Sequence, residues 1–331
     1  MPIKSIQSTR ILLSPLNWGL GHVSRTIPII QQLIEQNNEV LICCDEHQEA
    51  FYRHYFPQLW YIPHKGYPFE FKGNGKWTLD VVKSSSALYA RLRDEKEEVK
   101  KLVHQFQPDL IISDQRYGFL SKGVKSVIIS HQLKLPLPKW NVLPQLLNER
   151  WLKAFDEIWI PDNSNHQLSG DLSRKKIKKE HFIGLCSRFS AEVHQKGNEE
   201  DDSISYQYLG IVSGPFPYNQ RFFELLYQKL LEKEGKSAIV VPKSIVVDES
   251  FKSNKIDIVT LPSVEKFTEL LQQSEEIISR AGYSTLMDLA VLGKKATLVP
   301  TPGQYEQLYL AELHKNHKLW RFLSEEAFIK E

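Results

Sequence analysis

Four stretches of this 331-residue chain carry side chains able to do chemistry. The first is Asn17-Trp18-Gly19-Leu20-Gly21-His22, taken together with Asp114 at the end of Pro108–Asp114. His22 titrates near neutrality and can act as a general base; a neighbouring Asp114 would orient the imidazole and stabilise its protonated form. The second is Gly210–Pro215, where Ser213 and Gly214 offer a hydroxyl and backbone N–H groups to a phosphate. In the third, Ser279–Asp288, a turn at Gly282 opens a hydroxyl-rich helix start (Tyr283, Ser284, Thr285), which makes an anion cradle. Asp288, one turn further, is placed to accept both hydroxyls of a ribose. The fourth is Val299–Gln307, where Gln304, Glu306 and Gln307 line up hydrogen-bonding groups suited to sugar hydroxyls.

Each of these residues also has a plainer use. Gly19 and Gly21 fit an ordinary strand-to-helix turn, His22 a helix cap or surface site, and Asp114 a polar strand end. Asp288 fits a first-turn acid complementing the helix dipole, and Glu306–Gln307 a polar helix start. The first loop also approaches the dinucleotide-binding Gly-x-Gly-x-x-Gly pattern, with Asp45 standing where a ribose-binding acid would, but its third position is Ser24.

The elements that must carry these groups alternate. Short apolar runs bounded by polar residues predict strands at Ile11–Leu16, Val40–Cys44, Leu110–Ser113, Val127–Ser130 and Ile158–Pro161. Val23, Ile27, Ile30 and Ile34 recur at helical spacing between the first two, and Leu79–Phe106 reads as a long charged helical region. Further strands are expected at Tyr208–Val212, Ala238–Val241, Ile256–Thr260, Glu276–Ser279 and Ala296–Pro300. Helices are expected at Gln220–Glu232, Val264–Gln273, Ser284–Leu292 and Gln304–His314. An acidic loop, Gln195–Ser203, separates the halves. The fold expected is α/β, two Rossmann-like doubly wound domains facing a central cleft at the carboxyl ends of their strands. The domains expected are 1–190 and 191–311. Residues 312–331 are expected to form a helical segment packing back on the N-terminal domain.

Composition removes several alternatives. With 41% hydrophobic and 25% charged residues the chain can bury large cores, which excludes wholesale disorder. Forty-two basic against 40 acidic residues leave +2, without the basic excess of a dedicated nucleic-acid binder. Three cysteines with no Cys-x-x-Cys indicate neither a zinc site nor a disulfide framework. No run reaches the roughly 18 apolar residues of a membrane span, and Met1–Arg10 lacks signal-peptide features. A cytoplasmic location is expected, with peripheral contact at the inner face of the membrane as an extension.

Taken together, Gly19-Leu20-Gly21-His22, Ser213-Gly214, Ser279-Arg280-Ala281-Gly282 and Glu306-Gln307 resemble the GT-B glycosyltransferases, most closely family 28. That family includes the lipid-linked peptidoglycan N-acetylglucosaminyltransferase and the plant monogalactosyldiacylglycerol synthases. The resemblance implies a hexosyl- or N-acetylhexosaminyltransferase that inverts the anomeric centre and needs neither cofactor nor donor-bound metal. The donor, a UDP-sugar, would sit in the C-terminal domain. On this pattern His22 is the acceptor-side base, Asp288 the ribose acid, Glu306 and Gln307 the sugar contacts, and Ser213–Gly214 the diphosphate loop. Arg188 would reach the nucleotide near the hinge, and Arg188 or Arg280 would help carry the leaving charge. The chain departs from the pattern in having Trp18-Gly19-Leu20-Gly21 for a glycine-richer loop and Leu310 where an asparagine is usual.

The acceptor would be a hydroxyl compound, a glycolipid or cell-envelope precursor. Leu135–Trp140 and Leu143–Phe155 mix apolar and basic residues in a way that suits a lipid-linked acceptor or burial in a core or interface. Arg174–Lys179 is a basic run able to touch anionic lipid or to form a solvated face. Three rivals share parts of the pattern: a nicotinamide oxidoreductase using the first loop and Asp45, a UDP-sugar 2-epimerase of the same architecture, and a nucleotide-sugar sensor without turnover.

Overall fold

The computed structural model describes residues 2–75, 77, 80, 83–137, 142–189 and 205–331. The acidic loop Gln195–Ser203 and the Pro138–Trp140 end of the apolar patch lie outside the described residues. The chain divides into two units, Met1–Glu70 with Val81–Arg188, and Phe71–Asp80 with Phe189–Glu331.

The first unit is built on a seven-stranded sheet: β1 (Arg10–Pro15), β2 (Glu39–Cys44), β3 (Trp60–Pro63), β4 (Leu110–Asp114), β5 (Lys125–Ile129), β6 (Glu157–Ile160) and β7 (Glu180–Phe182). Its order is β3-β2-β1-β4-β5-β6-β7, and every pairing is parallel. Parallel strands need crossover helices on the sheet faces, so β1 reads as an unbroken apolar run, with Ile11, Leu12 and Leu13 wholly buried. Helix α1 (Leu20–Glu35) supplies Val23, Ile27, Ile30 and Leu33 to the core. Burying each such side chain stabilises by about 1.5–3 kcal/mol. Helix α2 (Glu46–Tyr52) was not expected from the sequence; α3 (Ser85–Phe106) and α4 (Val142–Leu152) complete this unit's longer helices among the described residues.

The second unit holds β8 (Tyr206–Ile211), β9 (Ser237–Val241), β10 (Ile256–Thr260), β11 (Ser274–Ser279), β12 (Lys295–Leu298) and β13 (Trp320–Phe322). They are again all parallel, in the order β10-β9-β8-β11-β12-β13. Its helices are α5 (Tyr218–Glu232), α6 (Val264–Gln272), α7 (Tyr283–Leu292), α8 (Tyr305–Leu313) and α9 (Glu325–Lys330).

Two features of this unit differ from expectation. Residues 312–331 are not a helical appendage to the N-terminal domain: β13 extends the second sheet, and Phe328 of α9 lies in that unit's core with Phe222 and Val299. The short segment Phe71–Asp80 also belongs here rather than with residues 1–70. Phe71 and Trp77 stack at 4.1 Å, and Trp77 meets Tyr218 at 5.3 Å. Gly303 (φ 78°) lies so close beneath this segment that a Cβ would fall 2.1 Å from the Gly75 carbonyl oxygen.

The strands that sequence patterning missed, β3, β7 and β13, stand at sheet edges. These three are only three or four residues long and partly exposed, too short for pattern alone to mark them as strands; β3 buries none of its four residues fully.

Candidate active site

In a doubly wound sheet, ligands collect outside the carboxyl ends of the strands where the strand order reverses. In the first unit that point lies between β1 and β4. Pro15 at the end of β1 pairs with Asp114 at the end of β4, and Leu16 N donates to the Asp114 carbonyl at 3.0 Å. The loop that follows β1 is pinned from two sides. Asn17 Oδ1 accepts from Tyr67 N at 2.9 Å, and Trp18 packs edge-on against Phe69 at 4.4 Å. Gly19 then caps α1 with φ 90°, a conformation that L side chains resist. Gly21 and His22 fall in the first turn of α1.

This register brings His22 and Asp114 together. His22 Nδ1 is 2.9 Å from Asp114 Oδ2, with the histidine side chain 14% exposed and the carboxylate wholly buried. A third residue joins them. Arg25, one helical turn after His22 and 2% exposed, has Nε 2.9 and 3.1 Å from the two Asp114 oxygens. Its Nη2 also meets Asp114 Oδ1 and lies 2.8 Å from His22 Nδ1. Burial alone would raise the Asp114 pKa, but Arg25 and then His22 pull it below the ordinary 3.8. The carboxylate is therefore ionised at neutral pH, as an orienter must be. Arg25 was absent from the sequence reading, although a basic residue at i+3 from a histidine always shares its helix face.

In the second unit the reversal lies between β8 and β11, with β12 beside β11. Consequently the loops after β8, β11 and β12 emerge side by side at one sheet edge, and these carry the three stretches expected to meet a donor. After β8, Ser213 and Gly214 are partly exposed, and a Cβ on Gly214 would meet nothing within 4 Å. That is open room beside backbone N–H groups. After β11, Gly282 is the N-cap of α7, and Tyr283 is buried while Ser284, Thr285 and Asp288 stay partly accessible. Ser284 and Asp288, four apart, share one face. Asp288 is the sixth residue of α7, beyond its first turn, so dipole compensation does not account for it.

After β12, Gln304 is the N-cap of α8, and Glu306 falls in that helix's first turn. Gln307 is buried, and its Oε1 accepts from Thr301 N at 2.7 Å. That bond fixes the amide so that Nε2 is its donor end.

One expected contact takes another place. Arg280 is not presented to a ligand: it is 3% exposed, its Nη2 is 3.0 Å from Glu325 Oε2, and its guanidinium lies 4.2 Å over the Phe222 ring. Nη1 approaches the carbonyls of Val299 and Pro300 at 3.4 Å each. The residue ties α9 to the end of β12. Arg188 closes the first unit with its guanidinium 5.7 Å from the Phe51 ring centroid. Asp45, the acid a nicotinamide site would use, is instead the N-cap of α2. It accepts from Gln48 N at 2.9 Å while Gln48 Oε1 accepts from Asp45 N at 3.3 Å. The oxidoreductase reading thereby loses its ribose ligand.

Residues 233–327, which span the loops after β11 and β12, match the glycosyltransferase family 28 C-terminal domain. The chain is a glycosyltransferase with a family 28 C-terminal domain. It is 22% identical to a Bacillus cereus UDP-N-acetylglucosamine–N-acetylmuramyl-(pentapeptide) pyrophosphoryl-undecaprenol N-acetylglucosamine transferase, over 88% of this chain and 79% of that one. It is also 22% identical to an uncharacterized glycosyltransferase of Methanosarcina mazei, over 95% and 86%. Among solved structures, a spinosyn rhamnosyltransferase complexed with thymidine diphosphate superposes with a TM-score of 0.60 at 14% identity, covering 97% of this chain and 90% of that one. The MurG of Acinetobacter baumannii gives 0.53 at 13%, covering 97% and 88%. These likenesses show the GT-B fold for the glycosyltransferase.

Proposed function

We propose that this glycosyltransferase moves a sugar from a nucleotide-diphosphate donor, a UDP-sugar, to a hydroxyl acceptor, inverting the anomeric centre without a donor-bound metal. The observation that carries the reading is the His22–Asp114 pair at one sheet's switch point, matched by three ligand-competent loops at the other's. His22 takes the acceptor hydroxyl's proton at Nε2 as that oxygen attacks the anomeric carbon. The bond to the diphosphate breaks from the opposite face, and its electron pair leaves with the diphosphate. Asp114 stabilises the imidazolium that results. Backbone N–H groups at Ser213–Gly214 and at the α7 N-terminus, with the Ser284 and Thr285 hydroxyls, meet the growing charge; preorganised donors of this kind are typically worth about 3 kcal/mol each. Asp288 holds the ribose, and Gln304, Glu306 and Gln307 Nε2 read the sugar.

A lipid-linked acceptor fits the first unit's surface. Helix α4 presents Val142, Leu143, Leu146 and Leu147 to solvent, the second of them 67% exposed. Lys175 pairs with Glu149 on the same helix, which also carries Arg150. An apolar strip flanked by basic groups is the chemistry of a membrane surface. Among the described residues no helix is long and apolar enough to cross a membrane. The Bacillus cereus relative acts, by its name, on an undecaprenol-linked substrate.

A thermal-shift panel of UDP, GDP, dTDP and their sugars, repeated with a chelator, tests the donor side. UDP and UDP-sugars should stabilise the chain most, with or without chelator. No nucleotide effect would refute the reading, and conversion of the donor sugar without any acceptor would indicate an epimerase instead.

A further inference from the structure

His22 Nδ1 has two neighbours with opposite demands. Asp114 Oδ2, at 2.9 Å, can only accept a hydrogen bond; Arg25 Nη2, at 2.8 Å, can only donate one. In either tautomer of the neutral ring one of them is satisfied, but a protonated ring would carry its charge next to a guanidinium nitrogen. Arg25 meanwhile engages both Asp114 oxygens through Nε. The charge of the buried carboxylate is thus matched within this cluster before His22 draws on it.

A buried carboxylate with no such cation would raise the pKa of a neighbouring histidine and favour its protonated form, because an opposite charge within about 4–6 Å favours the charged form. A protonated histidine accepts no proton from a substrate. We propose that Arg25 is a positioning residue that neutralises Asp114 and so keeps His22 a neutral, proton-accepting imidazole. The proposal rests on the reading of His22 as the base. Among the described residues, further titratable groups coupled to this cluster are Tyr52 on α2, Tyr117 after β4, and Cys186 after β7. Burial pushes all three upward, so they stay uncharged through the neutral range. Asp114 gives the histidine its orientation; Arg25 prevents that same carboxylate from holding it protonated before the acceptor arrives.

The test follows the His22 imidazole by NMR titration of the full chain, with its signals assigned by their loss in His22→Gln, beside the pH dependence of kcat/KM. In the wild type His22 should not titrate above the ordinary histidine range. Arg25→Gln should raise its titration midpoint by about one to two pH units and move the acid limb of kcat/KM upward equally, with KM for the donor unchanged. Arg25→Lys, which keeps the charge, should restore most of the wild-type midpoint. A wild-type midpoint raised by a unit or more would overturn the proposal, even if Arg25→Gln does not fold. So would an unmoved midpoint in folded Arg25→Gln, or an equal rise in Arg25→Lys. If the NMR midpoint moves as expected while the acid limb stays in place, Arg25 acts as proposed and it is the base assignment that fails.

Discussion

Replacing Arg280 with methionine separates a ligand contact from a structural tie. In the structure Arg280 is enclosed by Glu325, Phe222 and the carbonyls of Val299 and Pro300. Burial disfavours its charge, and Glu325 offsets that. Removing one member of a buried ion pair ordinarily costs about 3–5 kcal/mol, because the other charge is stranded. Two features reduce the figure here. Arg221, 56% exposed, keeps a 2.7 Å bond to the other oxygen of Glu325, and methionine retains an aliphatic stem against Phe222. A net loss of about 2–3 kcal/mol is therefore expected. For a unit of this size, each kcal/mol shifts Tm by roughly 2–4 °C, so Arg280→Met should melt about 5–10 °C lower. Adding Glu325→Gln should cost less in the Arg280→Met background than in the wild type, since coupled neighbours are not additive. The assay is thermal unfolding of the four proteins of the cycle, with calorimetric UDP affinity measured where all are folded. A Tm within about 1 °C of wild type, together with UDP binding weakened about tenfold or more, a loss of about 1.4 kcal/mol, would refute the structural role. It would return Arg280 to the donor site.

Three further expectations can be checked independently. His22→Ala should lower turnover by about a hundredfold or more with little change in UDP affinity, while Asp288→Ala should weaken UDP binding; near-normal turnover in the first removes His22 from the base role. Acid unfolding of the first unit should proceed in two stages. Burial lowers the His64 pKa below its ordinary 6.5, so below that pH the unfolded chain binds a proton that the folded chain refuses, and stability falls. Against the opposing effect of burial, Asp114 is depressed by Arg25 and His22, and Glu95 by its hydrogen bond with His64 and by Arg116, so their contribution is present above the ordinary carboxylate range and is lost as pH falls through their lowered values. His64→Gln should shrink the upper stage in urea titrations across pH 7 to 3, leaving the part due to His181, which burial also lowers; an undiminished upper stage would contradict the assignment. Finally, Leu143→Ser/Leu146→Ser should reduce co-sedimentation with vesicles containing anionic lipid while leaving Tm within about 1 °C, because both side chains are already exposed; undiminished binding would exclude α4 as the membrane face.

The central strands and the helices between them were legible because strands buried on both faces leave apolar runs, as in Ile11–Leu13 and Ile111–Ile112. The loops after β8, β11 and β12 were legible for a related reason: a small or hydroxyl residue following such a run marks a strand's carboxyl end, wherever the strand lies in the sheet. Helix α2 was signalled locally by Asp45 and Gln48, whose capping box reads equally well as a cofactor acid until the bond is seen. What local pattern cannot contain is the partner of a charge. Arg25 and Arg280 each stand beside a candidate loop, and nothing in their neighbours distinguishes them. Only the β1–β4 register gives Arg25 the carboxylate of Asp114, 89 residues away, and only the addition of β13 and α9 to the second sheet gives Arg280 the carboxylate of Glu325, 45 residues away. Residue type and spacing determined which chemistries this chain could support. Tertiary contact decided which charges are satisfied internally and which remain for a ligand, because the cost of burying a charge depends on where the chain brings its counter-charge.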